Sequence, residues 1–267
     1  MTKIIAEIGW NHMGNLRLAK KMILSAKKNG ADYVKTQIFD PSTLKPGPWD
    51  HDGRRKIYEK AKMTDEKYSK LLKYSKKIKV NFFTSVVNII GAKIVLKHQN
   101  DIIKIPSMEN TNYELLKFCN KNFKKILVST GTAKFSEILK LKKMINKNKL
   151  NILHCTSSYP CNPEDLNLPK IQLLQKHFKK VGFSDHSVGV YGSFIAMRHN
   201  LNFIEKHFTT DKKLPGRDNK FAILPMELKK LKDFYSFYKE ANKFRGLKYL
   251  KSEREARKLY KGRWGKV

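Results

Sequence analysis

Three observations predict that the chain is a single α/β domain, a (β/α)8 TIM barrel. Short β-branched or apolar runs recur eight times, with amphipathic stretches of helical period between them. The units are evenly spaced, and none carries the glycine-rich phosphate fingerprint of an open doubly wound sheet, which is the competing fold. A length of 267 residues also suits one barrel.

The predicted strands are the short apolar runs, and the helices lie between them. The first helix has Leu16, Ala19, Ile23 and Ala26 along one stripe and Gly30 where it should stop. A later helix has two candidate N-caps, the neighbouring residues at 111 and 112. We place the strands at residues 3–7, 33–37, 80–84, 101–105, 125–129, 150–154, 180–184 and 202–206.

The barrel is expected to occupy residues 1–230, followed by a short, basic, helical C-terminal extension at 231–267. A helix should open at Pro225, and the run SEREARKLYKGR reads as a shorter, highly charged one. Residues 38–63 form a long loop rich in Pro, Gly and Asp. In a compact barrel such a loop favours a functional lid over a disordered excursion.

Composition restricts the class of protein more than it identifies a function. The net charge of +33, from 56 Lys and Arg against 23 Asp and Glu, raises the question of a nucleic acid or an anionic membrane. The excess is spread along the chain without a nucleic-acid-binding signature, which favours codon bias or attraction of small anionic substrates. We expect a cytoplasmic protein, because the sequence shows no signal peptide or membrane span. We also expect its three cysteines to be reduced.

Two histidines follow the last two predicted strands, in the runs GFSDHS and IEKHFTTDKKLPGRD. Strands that neighbour each other lie about 4.8 Å apart, so His186 and His207 can reach one cation. Two imidazoles without thiolates suit Mn, Fe, Co or Zn better than Mg or Ca. The alternative is a pair of packed or hydrogen-bonded histidines, and His12 is a rival for a different role.

Polar residues end every predicted strand, where barrel enzymes carry their chemistry. Lys35 and Lys104 indicate an anion-binding site, because a lysine in a dry cavity needs an acidic partner. Hydroxyls would add neutral donors for a phosphate, and they come from Ser107, Ser129 and Ser184. The alternative is that the lysines pair with Glu7, Glu109 or Glu205. The acid–base candidates are Glu7, Glu109 and Asp218, and spacing does not choose among them.

Eight runs follow one another along roughly residues 3–230, one for each predicted βα unit. They are IIAEIGWNHMGN, GADYVKTQIF, FFTSV, IIKIPSMENTN, ILVSTGTA, ILHCTSSYPCNPEDLNL, VGFSDHSVG and IEKHFTTDKKLPGRDNKFAILPMEL. In these runs the sequence resembles the sialic acid synthase family, whose members condense phosphoenolpyruvate with N-acetylmannosamine or related amino-sugar aldehydes to nonulosonic acids.

This resemblance implies a role for each matched residue. His186 and His207 would hold a divalent metal, usually Mn²⁺ with Mg²⁺ or Co²⁺ as alternatives, that polarises the aldehyde. Glu109 would be a carboxylate near the metal that activates water. The positions for phosphoenolpyruvate would be Lys35, Thr84, Lys104, Ser107, Ser129, Ser157 and Ser184, and those on the sugar side Glu7, Gln37, Tyr159 and Asp218.

The sequence departs from the family at its C-terminus, where members generally continue into an antifreeze-like domain that covers the partner subunit of a dimer. We expect that domain to be absent here, which leaves sugar selection, a homodimer and a separately encoded antifreeze-like protein as open expectations. The alternative function is a catalytically impaired barrel that acts as a binding scaffold, for a partner or for nucleic acid.

Overall fold

Eight parallel strands close into a barrel in the computed structural model, which describes residues 2–265. Each strand pairs with the next along the chain, and the first pairs with the last. This confirms the predicted fold, and no strand end lies more than two residues from its predicted position. The strands are β1 Lys3–Gly9, β2 Tyr33–Ile38, β3 Asn81–Val86, β4 Ile103–Ile105, β5 Ile126–Ser129, β6 Leu150–His154, β7 Val181–Asp185 and β8 Phe203–His207.

Helices surround the barrel and begin and end at residues suited to those places. Asn15 caps the first helix by accepting a hydrogen bond from the backbone N–H of Leu18, and Gly30 follows its end at φ 95°. Of the two candidate caps before the fifth helix, Asn112 is the one used. The helices are α1 Leu16–Lys28, α2 Arg54–Ala61, α3 Asp65–Lys77, α4 Ile89–Leu96, α5 Tyr113–Asn122, α6 Phe135–Met144, α7 Pro169–His177, α8 Tyr191–Ala196, α9 Pro225–Ala241 and α10 Arg254–Tyr260.

Apolar side chains fill two separate layers, because successive residues of a strand point to opposite faces. One large core lies between the strands and the helices. A smaller cluster plugs the inside of the barrel, and Gly182 allows its members to approach, since a Cβ there would lie 2.5 Å from Leu153 Cδ2. Above this plug the inward positions become polar, so the site has a sealed floor. The plug consists of Ile5, Phe83, Ile102, Leu127, Leu153 and Phe203.

The C-terminal boundary lies farther along the chain than expected. Helix α9 crosses residue 230, and Leu231 and Tyr235 on it are buried in the large core. The hydroxyl of Tyr235 also accepts a hydrogen bond of 2.7 Å from the backbone N–H of Thr2. The barrel therefore includes α9 up to Ala241. From residue 242 to 265 the side chains are exposed, and this segment contains α10.

The predicted lid, residues 38–63, is folded against the mouth of the barrel. It contains two short 3₁₀ turns and α2. Its Tyr58 ring stacks on Trp10 of the loop after β1 at a centroid distance of 4.8 Å, and Phe39 meets Trp10 edge-on.

Two further expectations concern the whole chain. No helix among residues 2–265 combines the length and apolar character that crossing a bilayer requires. The three cysteines are free thiols, and each is buried.

Candidate active site

Two lysines and two glutamates form a charged ring above the floor of the barrel. Lys35 on β2 pairs with Glu7 on β1, and Lys104 on β4 pairs with Glu205 on β8. A longer contact of 3.7 Å joins Lys35 Nζ to Glu205 Oε2 and closes the ring. All four side chains are at most 5% exposed. The lysines thus face both the mouth of the barrel and the carboxylates that were the alternative partners.

Burial and charge act against each other in this ring. Burial alone would raise the pKa of Glu205, but Lys104 and Lys35 outweigh it and hold the pKa at about 2. Burial lowers the pKa of Lys35 to about 7, while Glu205 opposes the shift. Glu205 is therefore a carboxylate at neutral pH, and a bound anion would favour the charged form of Lys35 in the same way.

A group of hydroxyls lies beside the ring, where β4, β5 and β6 end. Ser107 Oγ accepts a hydrogen bond of 3.1 Å from the backbone N–H of Gly131 and lies 3.1 Å from Cys155 Sγ. A Cβ on Gly131 would lie 2.2 Å from Ser157 Oγ and 2.8 Å from Ser107 Oγ, so only glycine leaves this space open. The hydroxyls of Ser129 and Ser157 are buried without a partner among the described residues. We call Ser107, Ser129, Gly131 and Ser157 the serine cradle.

The two histidines lie together on the other side of the ring, as their spacing predicts. Their ring centroids are 5.7 Å apart, and each side chain is nearly buried. Nδ1 of His186 lies 2.7 Å from the carbonyl oxygen of Thr156, so this nitrogen donates and Nε2 keeps its lone pair. Nε2 has one long contact, 3.4 Å to Ser184 Oγ.

Both imidazoles are neutral at physiological pH. Burial lowers the pKa of His186 to about 4, although its hydrogen bond to Thr156 opposes the shift. Burial and the neighbouring His186 lower the pKa of His207 well below its ordinary value. Nδ1 of His207 lies 3.5 Å from Oδ2 of Asp218 and has no hydrogen-bond partner among the described residues. Neutral imidazoles are the form that binds metal ions.

Aromatic and polar side chains form the wall around the histidines. Tyr159 packs on His186 at a centroid distance of 4.2 Å and remains 45% exposed, facing the mouth. Trp10 Nε1 donates a 2.7 Å hydrogen bond to Oδ2 of Asp218. Burial raises the pKa of this carboxyl, and the Trp10 bond opposes the shift. Near Glu7, the amide of Gln37 approaches Gly9, whose N–H donates to Glu7 Oε1 at 2.6 Å.

Two predicted site residues lie outside these contacts. Thr84 follows Phe83, which belongs to the inner plug, so the side chain of Thr84 faces the helices. Ser85 is the residue that β3 turns into the barrel, opposite Lys104. The prediction of Thr84 as a side-chain ligand is therefore one residue out of phase.

Glu109 is the second. It follows Ser107 in the same 3₁₀ turn, and Oε2 accepts a 2.8 Å hydrogen bond from Asn112 at the start of α5. Within residues 2–265 it makes no hydrogen bond or ion pair with the ring or the histidines.

Besides Ser85 and Gly131, three site residues were missed from the sequence. Glu205 was noted only as an alternative partner for the lysines, although its place two residues before His207 puts both on the same face of β8. Trp10 and Cys155 carry no polar signal of their own. Their positions just after β1 and β6 were the available sign, since barrel sites collect residues from these loops.

A closed barrel that collects the charged ring, the serine cradle and two neutral imidazoles at the carboxyl ends of its strands has the architecture of a (β/α)8 barrel enzyme. Comparison with known proteins then gives the family. The sequence model of the NeuB family matches residues 22–245, and the chain belongs to that family.

Two relatives and one solved structure illustrate the similarity. The chain is 36% identical to N,N'-diacetyllegionaminic acid synthase of Campylobacter jejuni, over 86% of this chain and 74% of that protein. It is 34% identical to pseudaminic acid synthase of the same organism, over 86% of this chain and 71% of that protein. The crystal structure of N-acetylneuraminic acid synthetase from Leptospira borgpetersenii, in complex with citrate, superposes with a TM-score of 0.85 at 30% identity. It covers 97% of this chain and 92% of that one.

Proposed function

We propose that this chain condenses phosphoenolpyruvate with an N-acyl amino-sugar aldehyde, N-acetylmannosamine or a related hexose, to form a nonulosonic acid and release phosphate. The observation that carries the proposal is that an anion-binding group and a pair of metal-binding side chains lie side by side at the mouth of the barrel. Two buried lysines, and a serine cradle with two hydroxyls that have no partner among the described residues, suit an anion with two acidic groups. Two neutral imidazoles lie beside them.

Phosphoenolpyruvate would take the place of the glutamates as partner of the lysines. Lys35 and Lys104 would bind its carboxylate and phosphate, and the hydroxyls of Ser129 and Ser157, which have no hydrogen-bond partner within residues 2–265, would donate to it. The N–H of Gly131 and the hydroxyl of Ser107 extend the same surface. The net charge of +33 draws such an anion toward the barrel.

The aldehyde would lie on the histidine side. We propose that His186 and His207 hold a divalent ion, Mn²⁺ in the first place with Mg²⁺ or Co²⁺ as alternatives, and the observation that fits is the free lone pair of His186. When bound, the ion supplies Lewis acidity for a carbonyl oxygen. In this proposal the protein would contribute two imidazoles and leave the other positions to substrate and water. Within residues 2–265 no three His, Cys, Asp or Glu side chains are arranged to hold a metal.

Carbon–carbon bond formation follows from this placement. C3 of the enol attacks the aldehyde carbon, and the electron pair of that carbonyl moves to its oxygen, which takes a proton. Water adds at C2, and the bond from C2 to the bridging oxygen breaks, which leaves a keto group and inorganic phosphate. We propose Glu109 as the base for that water, because it shares the 3₁₀ turn of Ser107 at the edge of the cradle. Asp218, Gln37, Tyr159 and Glu7 would orient the sugar.

A panel of acceptors tests the reaction. The pure protein is incubated with Mn²⁺, phosphoenolpyruvate and single amino-sugar aldehydes, and released phosphate and keto acid are measured together. His186→Ala and His207→Ala should each abolish turnover and bound Mn²⁺, since one imidazole is a poor site. His177→Ala, half-buried on α7, is the matched control and should keep both. Absence of equimolar phosphate and keto acid with every acceptor would refute the proposal.

We further propose that the working enzyme is a homodimer. The exposed segment after α9 carries large apolar side chains, including Phe244, Leu247 and Trp264, which are at least 82% exposed. Sedimentation of the pure protein should give twice the chain mass. If the protein is instead a monomer that becomes more active when a separately encoded antifreeze-like domain is added, the homodimer proposal is wrong and a two-protein enzyme is supported. If a pulldown retains the protein only with nucleic acid, and rising salt releases it, the scaffold alternative is supported.

A further inference from the structure

The residues that precede the two histidines form an ion pair on the opposite face of the sheet. Asp185 on β7 and Lys206 on β8 are paired in register, and the strands run parallel. Because side chains alternate along a strand, His186 and His207 point into the barrel while Asp185 and Lys206 point toward the helices. Lys206 Nζ lies 3.1 Å from Asp185 Oδ2, and the two side chains are 1% and 0% exposed.

Every oxygen of the Asp185 carboxylate is used in this pair. Oδ1 accepts hydrogen bonds from the backbone N–H of Ser187 at 2.9 Å and from its hydroxyl at 2.6 Å. Oδ2 accepts from Ser193 Oγ of α8 at 2.6 Å. Lys206 Nζ also donates to the carbonyl oxygen of Ser187. The two residues that flank His186 are thus fixed to each other, to β8 and to α8.

Close packing supports the same arrangement. A Cβ on Gly192 would lie 2.9 Å from Ser187 Oγ and 3.2 Å from Asp185 Oδ2, so glycine at this place lets α8 approach the carboxylate. Most other residues on this face of the strands are apolar, for example Phe183 and Ile204. Replacement of a buried ion pair by well-packed apolar residues of similar volume is often neutral or stabilising. Stability alone therefore does not explain why charges lie here.

We propose that Asp185 and Lys206 are positioning residues, which set the separation and direction of the two imidazoles and thereby the affinity for the divalent ion. The inference rests on the proposed metal site at His186 and His207. Metal ligands must be held to a few tenths of an ångström, and residues that orient them typically change affinity by between about tenfold and 100-fold. One pair acts on both ligands because each member immediately precedes one of them.

The test measures Mn²⁺ affinity by calorimetry on the full chain, and Co²⁺ absorption as a report of ligand geometry. Asp185→Asn combined with Lys206→Met removes both charges, so the double variant leaves no unpaired buried charge and should fold. We expect its Mn²⁺ affinity to fall by about tenfold or more and its Co²⁺ spectrum to change. Lys206→Arg retains a cation beside Asp185 and should bind Mn²⁺ more tightly than the double variant does.

A destabilised control separates positioning from general loss of structure. Leu115→Ala creates a cavity under α5, away from β7 and β8, and should lower the melting temperature while leaving Mn²⁺ affinity unchanged. If the double variant binds Mn²⁺ as the wild type does, the positioning role is refuted. If the wild type binds no Mn²⁺, or His186→Ala binds it equally well, the proposed metal site itself fails.

Discussion

Gly131→Ala tests the serine cradle more sharply than removal of any serine. The new methyl group would meet Ser157 Oγ at 2.2 Å and Ser107 Oγ at 2.8 Å. Both atoms end short side chains that can rotate, so we expect the barrel to fold with the hydroxyls turned away from the cradle. A hydrogen bond to a charged group contributes about 1.5–3 kcal/mol, so loss of one raises the KM for phosphoenolpyruvate roughly 10- to 150-fold.

The assay is the initial rate of phosphate release with phosphoenolpyruvate varied at saturating metal and acceptor. Ser157→Ala is the partner for a double-mutant cycle. Because the methyl group acts through that hydroxyl, the two substitutions together should cost clearly less than the sum of their separate effects. A KM for phosphoenolpyruvate within about twofold of the wild type in Gly131→Ala would refute the cradle as an anion site.

Three further outcomes are expected. Burial lowers the pKa of His12 to about 4 from 6.5, so the folded state binds fewer protons between these values, and stability is lost as pH falls through this window. Urea unfolding gives the free energy of unfolding at neutral pH and at about pH 5. Its decrease between these two pH values should be about 2 kcal/mol smaller in His12→Asn than in the wild type, and equal decreases would contradict the lowered pKa of His12. Glu205→Gln leaves Lys104 without its partner and should lower the free energy of unfolding by about 3 kcal/mol or more, partly restored by phosphate; a variant as stable as the wild type in calorimetry would count against the ring. Leu231→Ala should cost about 2–5 kcal/mol in the same measurement, whereas the exposed Leu247→Ala stays within about 0.5 kcal/mol, and the reverse order would place α9 outside the barrel core.

Periodicity was enough to predict the architecture. The run 150–154 is β6 as placed, and the closed order of eight strands follows from evenly spaced βα units. The phase of β3 could not be read, because FFTSVV is apolar on both faces and shows no alternation. Only the closed barrel shows that Phe83 belongs to the inner plug, which turns Thr84 outward and Ser85 inward.

The positions of most candidate side chains were predicted in outline, whereas the pairing of their charges was not. Their spacing predicted that His186 and His207 follow adjacent strands, and the structure places the two rings side by side there. The partners of Lys35 and Lys104 depend on which strands face each other across the barrel. A single sequence does not give the distances between such strands. Glu205 contacts both lysines because the barrel brings β2, β4 and β8 to a common centre.

The fate of one oxygen atom tests the central claim most directly. Phosphoenolpyruvate labelled with ¹⁸O at the oxygen between C2 and phosphorus is turned over with the acceptor that supports activity, and both products are analysed by mass spectrometry. We predict that the label appears in inorganic phosphate and that the nine-carbon keto acid carries none. Label retained in the keto acid, or phosphate released without a new carbon–carbon bond, would contradict the account.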